Sequence, residues 1–76
     1  MKISELDIGE SGIVTGYEPG GKSYRHKLLR MGLVRGSGFK VIRKAPLGDP
    51  VELEVDSHRL TLRKSEADVL IVERNG

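Results

Sequence analysis

A mainly β fold with one short helix is predicted by three features of the 76-residue sequence. Ten glycines divide the chain into brief segments, the punctuation of small barrels and sandwiches. VELEV (51–55) and HRLTLR (58–63) alternate apolar and polar residues, the period of two expected of a half-buried strand. From Lys22 the period changes: Tyr24, Leu28 and Met31 stand at i, i+4 and i+7, on one face of a helix.

The elements follow in order. Residues 3–8 alternate loosely through Ile3, Leu6 and Ile8, and a turn follows at Gly9. Ile13, Val14 and Tyr17 place a first strand at about 12–17, and Glu18-Pro19-Gly20-Gly21 breaks it. The helix is expected at about 23–31, with Ser23 as its N-cap and Tyr24, Leu28 and Met31 turned to the core. Gly32 suits the left-handed position after the helix, with Leu33 folding back on Leu28. Gly36 and Gly38 then lead into a strand, FKVIR (39–43). KAPLGDP (44–50) connects it to VELEV: Pro46 and Pro50 fix φ and lack donors, Gly48 can take a positive φ, and Asp49 can accept a backbone N–H in an Asx turn. Asp56-Ser57 makes a two-residue hairpin turn, Lys64–Ala67 a single helical turn, and Asp68–Glu73 a last strand, apolar on both faces. One helix inserted between the first and second of about five strands gives an SH3-like small barrel, a single domain over residues 1–76.

A chain this small has little room for an enclosed substrate cavity. It has no cysteine, no apolar run near the ~20 residues that span a bilayer, and no signal-peptide h-region in MKISELDIGE, so a cytoplasmic protein is expected. The net charge of +2 hides an asymmetry: eight Lys or Arg and no acid lie between Lys22 and Gly48, against five basic and eleven acidic residues elsewhere. Such a segment suits an acidic partner or a phosphate backbone, although a solvated helix face and outer strand sides would look the same.

No catalytic group is expected. His26 lies among Lys22, Arg25, Lys27 and Arg30, which oppose both an imidazolium and a bound cation, and His58 opens a strand; neither belongs to a metal-ligand spacing. The carboxylates are scattered, and Gly36-x-Gly38 precedes a strand, not the helix a dinucleotide loop needs. No metal site and no cofactor are expected. Two binding classes remain. A small basic β-barrel binding nucleic acid fits the charge, but only Tyr17, Tyr24 and Phe39 are aromatic, and stacking platforms need exposed rings. A protein-interaction module fits Leu29, which lies about 100° from Leu28 at the margin of the helix stripe and is framed by Arg25 and Arg30. Either the stripe is broad enough to bury Leu29, or Leu29 anchors a patch with a basic rim.

The run YRHKLLRMGLVRGSGFKVIRKAPLGDPVELEV, then LTLRKSEADVLIVE, resembles the FeoA family, as does LDIGESGIV (6–14). KLLRMGL (27–33), Gly36, APLGDP (45–50) and LRKSEA (62–67) are the markers. The resemblance implies an SH3-like barrel with a helix between its first two strands, no catalysis, and action in ferrous iron uptake with FeoB, a membrane permease with a cytosolic GTP-binding domain. It also implies kinship with the C-terminal barrel of iron-dependent repressors, whose helix-turn-helix has no counterpart in this sequence. Arg35 stands where the family often has Pro, and Ser57 where many members have Gly, so the 56–57 turn must change type or accept strain. The partner surface is assigned from charge and exposure to Arg25, Leu29, Arg30 and Arg35, with Gly32, Gly36, Gly48, Asp49 and Pro50 as turn and cap residues. No nucleic acid is expected as a partner, and the oligomeric state is left open.

Overall fold

The computed structural model describes residues 1–75. Five strands form one antiparallel sheet: β1 (Ser11–Tyr17), β2 (Gly38–Lys44), β3 (Val51–Val55), β4 (His58–Leu62) and β5 (Leu70–Arg74). Their spatial order is β4-β3-β2-β1-β5. Helix α1 (Lys22–Arg30) connects β1 to β2, and the short α2 (Lys64–Ala67) connects β4 to β5. Single 3-10 turns cover Ile3–Glu5 and Pro46–Gly48. The expected mainly β, SH3-like architecture and the place of its helix are therefore present.

Alternation does the folding. Val51, Leu53 and Val55 are buried along β3 while Glu52 and Glu54 point outward, and the same rule turns Val14, Val41, Leu62 and Val72 inward. Register slips between Val14 and Gly16 and between Val41 and Arg43 bend the sheet. The bends let every strand reach one core, which Ile3, Leu6, Leu28 and Leu33 close. At the outer edge of β5, Met1 and Val72 exchange backbone hydrogen bonds of 3.1 and 2.8 Å. That pair occupies the middle of an edge that would otherwise be open to another strand.

Several expectations change. Residues 3–8 do not alternate as a strand would: a 3-10 turn puts Ile3 and Leu6 on the same inward side and leaves Ile8 60% exposed. The helix starts one residue earlier than expected, and Gly21, not Ser23, is its N-cap. Gly21 is the residue that fits because a Cβ there would lie 2.5 Å from a Val69 methyl. Of the expected stripe only Leu28 is fully buried; Met31 packs partly on the core and Tyr24 is exposed. The helix leans on the barrel by its last turn, so its first turn stays in solvent. The final strand begins at Leu70, since Asp68 caps α2 and Val69 donates to the Glu66 carbonyl at 3.2 Å.

At the β3–β4 hairpin Asp56 (φ 50°) and Ser57 (φ 68°) are both left-handed, the type I′ arrangement. Ser57 thus keeps the turn and accepts the strain. Ser57→Gly should raise stability by about 0.5–1 kcal/mol, read as a higher urea midpoint with an unchanged slope.

Candidate interaction surface

The outer face of α1 and the loop after it are held from behind. Gly32 (φ 88°) lets the chain reverse. The Leu33 N–H then donates to the Leu28 carbonyl at 3.0 Å and the Gly32 N–H to the Leu29 carbonyl at 3.1 Å, the two bonds of a Schellman motif. Leu28 and Leu33, both fully buried, supply its apolar contact. Beyond it the Ser37 hydroxyl donates to the Gly32 carbonyl at 2.9 Å and accepts from the Val34 N–H at 3.0 Å. Gly36 (φ 90°) donates to the Val14 carbonyl at 2.7 Å. Gly32 and Gly36 both take a positive φ. The loop is thus bonded to the helix at one end and to β1 at the other.

This frame presents Leu29, 40% exposed, and Val34, 44% exposed. The narrower stripe is therefore the real one, and Leu29 faces solvent. Arg25 and Leu29 are i, i+4 neighbours on the helix surface. The Arg25 guanidinium sits 4.9 Å from the centre of the Tyr17 ring, and the Tyr17 hydroxyl donates to the Leu33 carbonyl at 2.6 Å. Arg25 is thus ordered by a cation–π contact without losing its charge. Arg30 and Arg35 are exposed, and among the described residues neither is ion-paired.

Lys27 belongs elsewhere. It reaches Glu66 of α2 at 2.5 Å, and Glu66 is buried, its side chain only 4% exposed. The other Glu66 oxygen accepts the Arg63 N–H at 2.9 Å. Lys27 chiefly, and then Arg63, hold the Glu66 carboxyl below its usual value of 4.5 against the upward push of burial. Sequence reading missed this pair, which joins residues 39 apart. The one local signal was Glu66 three residues after Arg63, the spacing of a capping-box acceptor.

In the connection KAPLGDP, Gly48 takes a positive φ (74°) and Pro50 leads directly into β3. Asp49 departs from expectation. It makes no local Asx turn; its backbone is extended (φ −137°), and its carboxylate accepts the Lys64 N–H at 3.1 Å. That N–H heads α2 and has no intrahelical acceptor, so Asp49 ties the loop to the second helix. His26 and His58 are exposed and far apart in sequence. Among the described residues no three His, Cys, Asp or Glu side chains are grouped as a metal site would require. No helix there is long and apolar enough to cross a membrane.

A curled five-stranded sheet, one helix between its first two strands and a solvent-facing cationic rim define a small SH3-like domain. The FeoA domain model matches residues 1–74, and the chain belongs to that family. Over 73 residues it is 34% identical to the Fe(2+) transport protein A/Fe(2+) transporter FeoB fusion protein of Porphyromonas gingivalis. That match takes in 96% of this chain and 8% of the relative, so the chain spans a small part of the curated relative it resembles. The FeoA-like protein of Clostridium acetobutylicum superposes with a TM-score of 0.86 at 39% identity, over 97% of this chain and 85% of its own. The zinc-complexed FeoA of Stenotrophomonas maltophilia, described as a prokaryotic SH3 domain protein, gives 0.81 at 29% identity, over 96% and 89%. A manganese-dependent transcriptional repressor gives 0.89 at 14% identity over 99% of this chain and 36% of its own, which is a likeness of fold alone.

Proposed function

We propose that this chain is a non-enzymatic, cytosolic accessory protein of ferrous iron uptake that acts by binding the cytosolic part of a FeoB-type transporter. The observation that carries the reading is the fusion relative, in which transport protein A and FeoB are one polypeptide. A covalent link holds two parts at high effective concentration, which favours parts that work in contact. The rim Arg25, Arg30 and Arg35 supplies long-range attraction to an acidic surface, and Leu29 supplies a desolvated anchor at its centre. Such a division of labour gives fast, salt-sensitive association, with residence set by the apolar contact. Because the Schellman turn and the Ser37 bridges pre-order this face, docking loses little loop entropy.

The test is co-purification with the cognate FeoB cytosolic domain in each nucleotide state, wild type against Leu29→Asp with Arg25→Glu. The wild type should be retained and the double variant lost, with its melting temperature within a few degrees of wild type because both positions are exposed. Equal retention would remove this face from the interface. Failure of the wild type to bind in any state, or displacement by generic RNA with a steep salt slope, would overturn the partner itself.

A further inference from the structure

The two edges of the sheet are finished differently. On β5, Met1 exchanges two backbone hydrogen bonds with Val72. On the opposite edge β4 has β3 as its one neighbour. The two-residue turn at Asp56-Ser57 makes Val55 and His58 a hydrogen-bonded pair, so Leu53 with Leu60 and Val51 with Leu62 are bonded pairs too. Arg59 and Thr61, opposite Glu54 and Glu52, therefore turn their N–H and C=O groups away from the sheet. Both residues are exposed, and among the described residues no loop or terminus bonds to the backbone of either. β4 is thus a template for one more strand.

The side chains specify which strand. Leu62 is fully buried on the inner face and Leu60 is half-buried against the core, so Leu60 keeps apolar surface for a neighbour to cover. Arg59, Thr61 and Arg63 alternate with them and are exposed on the outer face. The run His58–Lys64 contains no acid. Glu52 is bonded to Arg59 and Glu66 to Lys27, which leaves Arg63 in no ion pair among the described residues. Thr61 and Arg63 open onto a hollow of about 620 Å³ that Lys27, Asp49 and Glu66 also line. Asp49 is the acid there without a cationic side chain beside it, and its carboxylate already accepts the Lys64 N–H at 3.1 Å. The charge left to answer on this edge is positive. It repels a cationic strand and attracts an acidic one, because opposite charges on neighbouring strands stabilise and like charges do the reverse.

We propose that the β4 edge takes an extended acidic segment of a partner protein as a sixth strand. Its backbone bonds to Arg59 and Thr61, its carboxylates face Arg59 and Arg63, and an apolar residue between them covers Leu60. Main-chain bonds supply the affinity and the alternating side chains the selectivity. Arg25, Leu29 and Arg30 lie on α1 and Arg35 in the loop after it, so the proposal does not rest on transporter binding through that face.

The probe is a capped synthetic peptide of alternating Glu and Val, titrated at low salt into the isotope-labelled chain. The Arg59, Thr61 and Arg63 amides should shift most. The Arg59 and Thr61 amides should exchange freely without peptide and several-fold more slowly at saturation. Thr61→Pro removes an outward donor without breaking a ladder bond, so it should keep the fold and weaken binding by about tenfold or more. Arg63→Glu should weaken binding through charge, and Leu29→Asp should bind as wild type does. Lys in place of Glu in the peptide, or N-methylation along its bonding edge, should abolish binding to the wild-type chain, a result that depends on no variant folding. Absence of binding, equal binding of the N-methylated peptide, or shifts centred away from β4 would overturn the proposal. So would Arg59 and Thr61 amides already protected in the free chain, as a second copy paired along this edge would make them.

Discussion

Gly12→Ala should lower stability by about 3 kcal/mol, the top of the usual range for forcing atoms into a packed interior. Gly12 lies in β1 between two strands, paired with Phe39 on one side and Arg74 on the other. A Cβ there would stand 2.7 Å from the Glu73 carbonyl oxygen and 2.8 Å from Cζ of Phe39. One obstacle is backbone and the other a buried ring, so neither can give way cheaply. Domains of this size have ~4–11 kcal/mol in total, so the loss should move the thermal midpoint by roughly 12–24 °C. Gly16→Ala is the control, because its Cβ would meet only a methyl of Ile71 at 3.8 Å, an ordinary contact. Adding Phe39→Leu to Gly12→Ala should recover part of the loss and no more, since the Glu73 carbonyl remains. A Gly12→Ala protein as stable as the Gly16→Ala protein would show that the strands can part at Gly12 at little cost.

What was legible in the sequence follows from how local each cause is. The β3–β4 hairpin was readable because one alternating pattern decides both conformation and burial: Val51, Leu53 and Val55 could be placed without knowing what covers them. The helix stop was readable for the same reason, since a Schellman turn is specified by Gly32 and by the spacing of Leu28 and Leu33. The start of that helix was not. Ser23 is a better local cap than Gly21, but Val69, far along the chain, leaves no room at position 21 for any side chain. Tyr24 satisfied the helical period and still faces solvent, because period gives the face and not how much of the barrel lies beneath it. For Leu29 the sequence allows two readings that only tertiary packing separates. Leu47 gave no signal: the turn residues around it accounted for KAPLGDP, and nothing local required a leucine to take the left-handed place. The family resemblance did not have these gaps, since it rests on many short stretches at once, and the FeoA model matches residues 1–74.

Lys27→Met is the second substitution with a large expected effect, and its pH dependence identifies the cause. In the folded chain the Glu66 carboxylate is buried with both oxygens engaged, one by Lys27 and one by the Arg63 N–H. Removing Lys27 leaves a buried charge with a single donor. For a fully enclosed pair that costs about 3–5 kcal/mol. Here Lys27 is 58% exposed, so water partly replaces it, and about 2 kcal/mol at neutral pH is expected. The wild-type carboxyl is held below its usual 4.5, so its contribution is fully present above that value and fades as pH falls through the folded-state pKa. In the variant the largest lowering influence is gone, and burial pushes upward against only the N–H and the charge of Arg63. The gap in urea midpoint between the two proteins should therefore be widest near pH 7 and narrow as the pH falls below the folded-state pKa of Glu66, where it is protonated in both. A gap that stayed constant over that range would assign the effect to lost packing of the Lys27 stem. The pair also bears on binding. Only Leu28 of α1 is fully buried, so the bond to α2 is a second attachment for the helix that presents Arg25 and Leu29. Amide exchange in α1 should accelerate in Lys27→Met beyond what global destabilisation predicts, and retention on the FeoB cytosolic domain should weaken without being abolished.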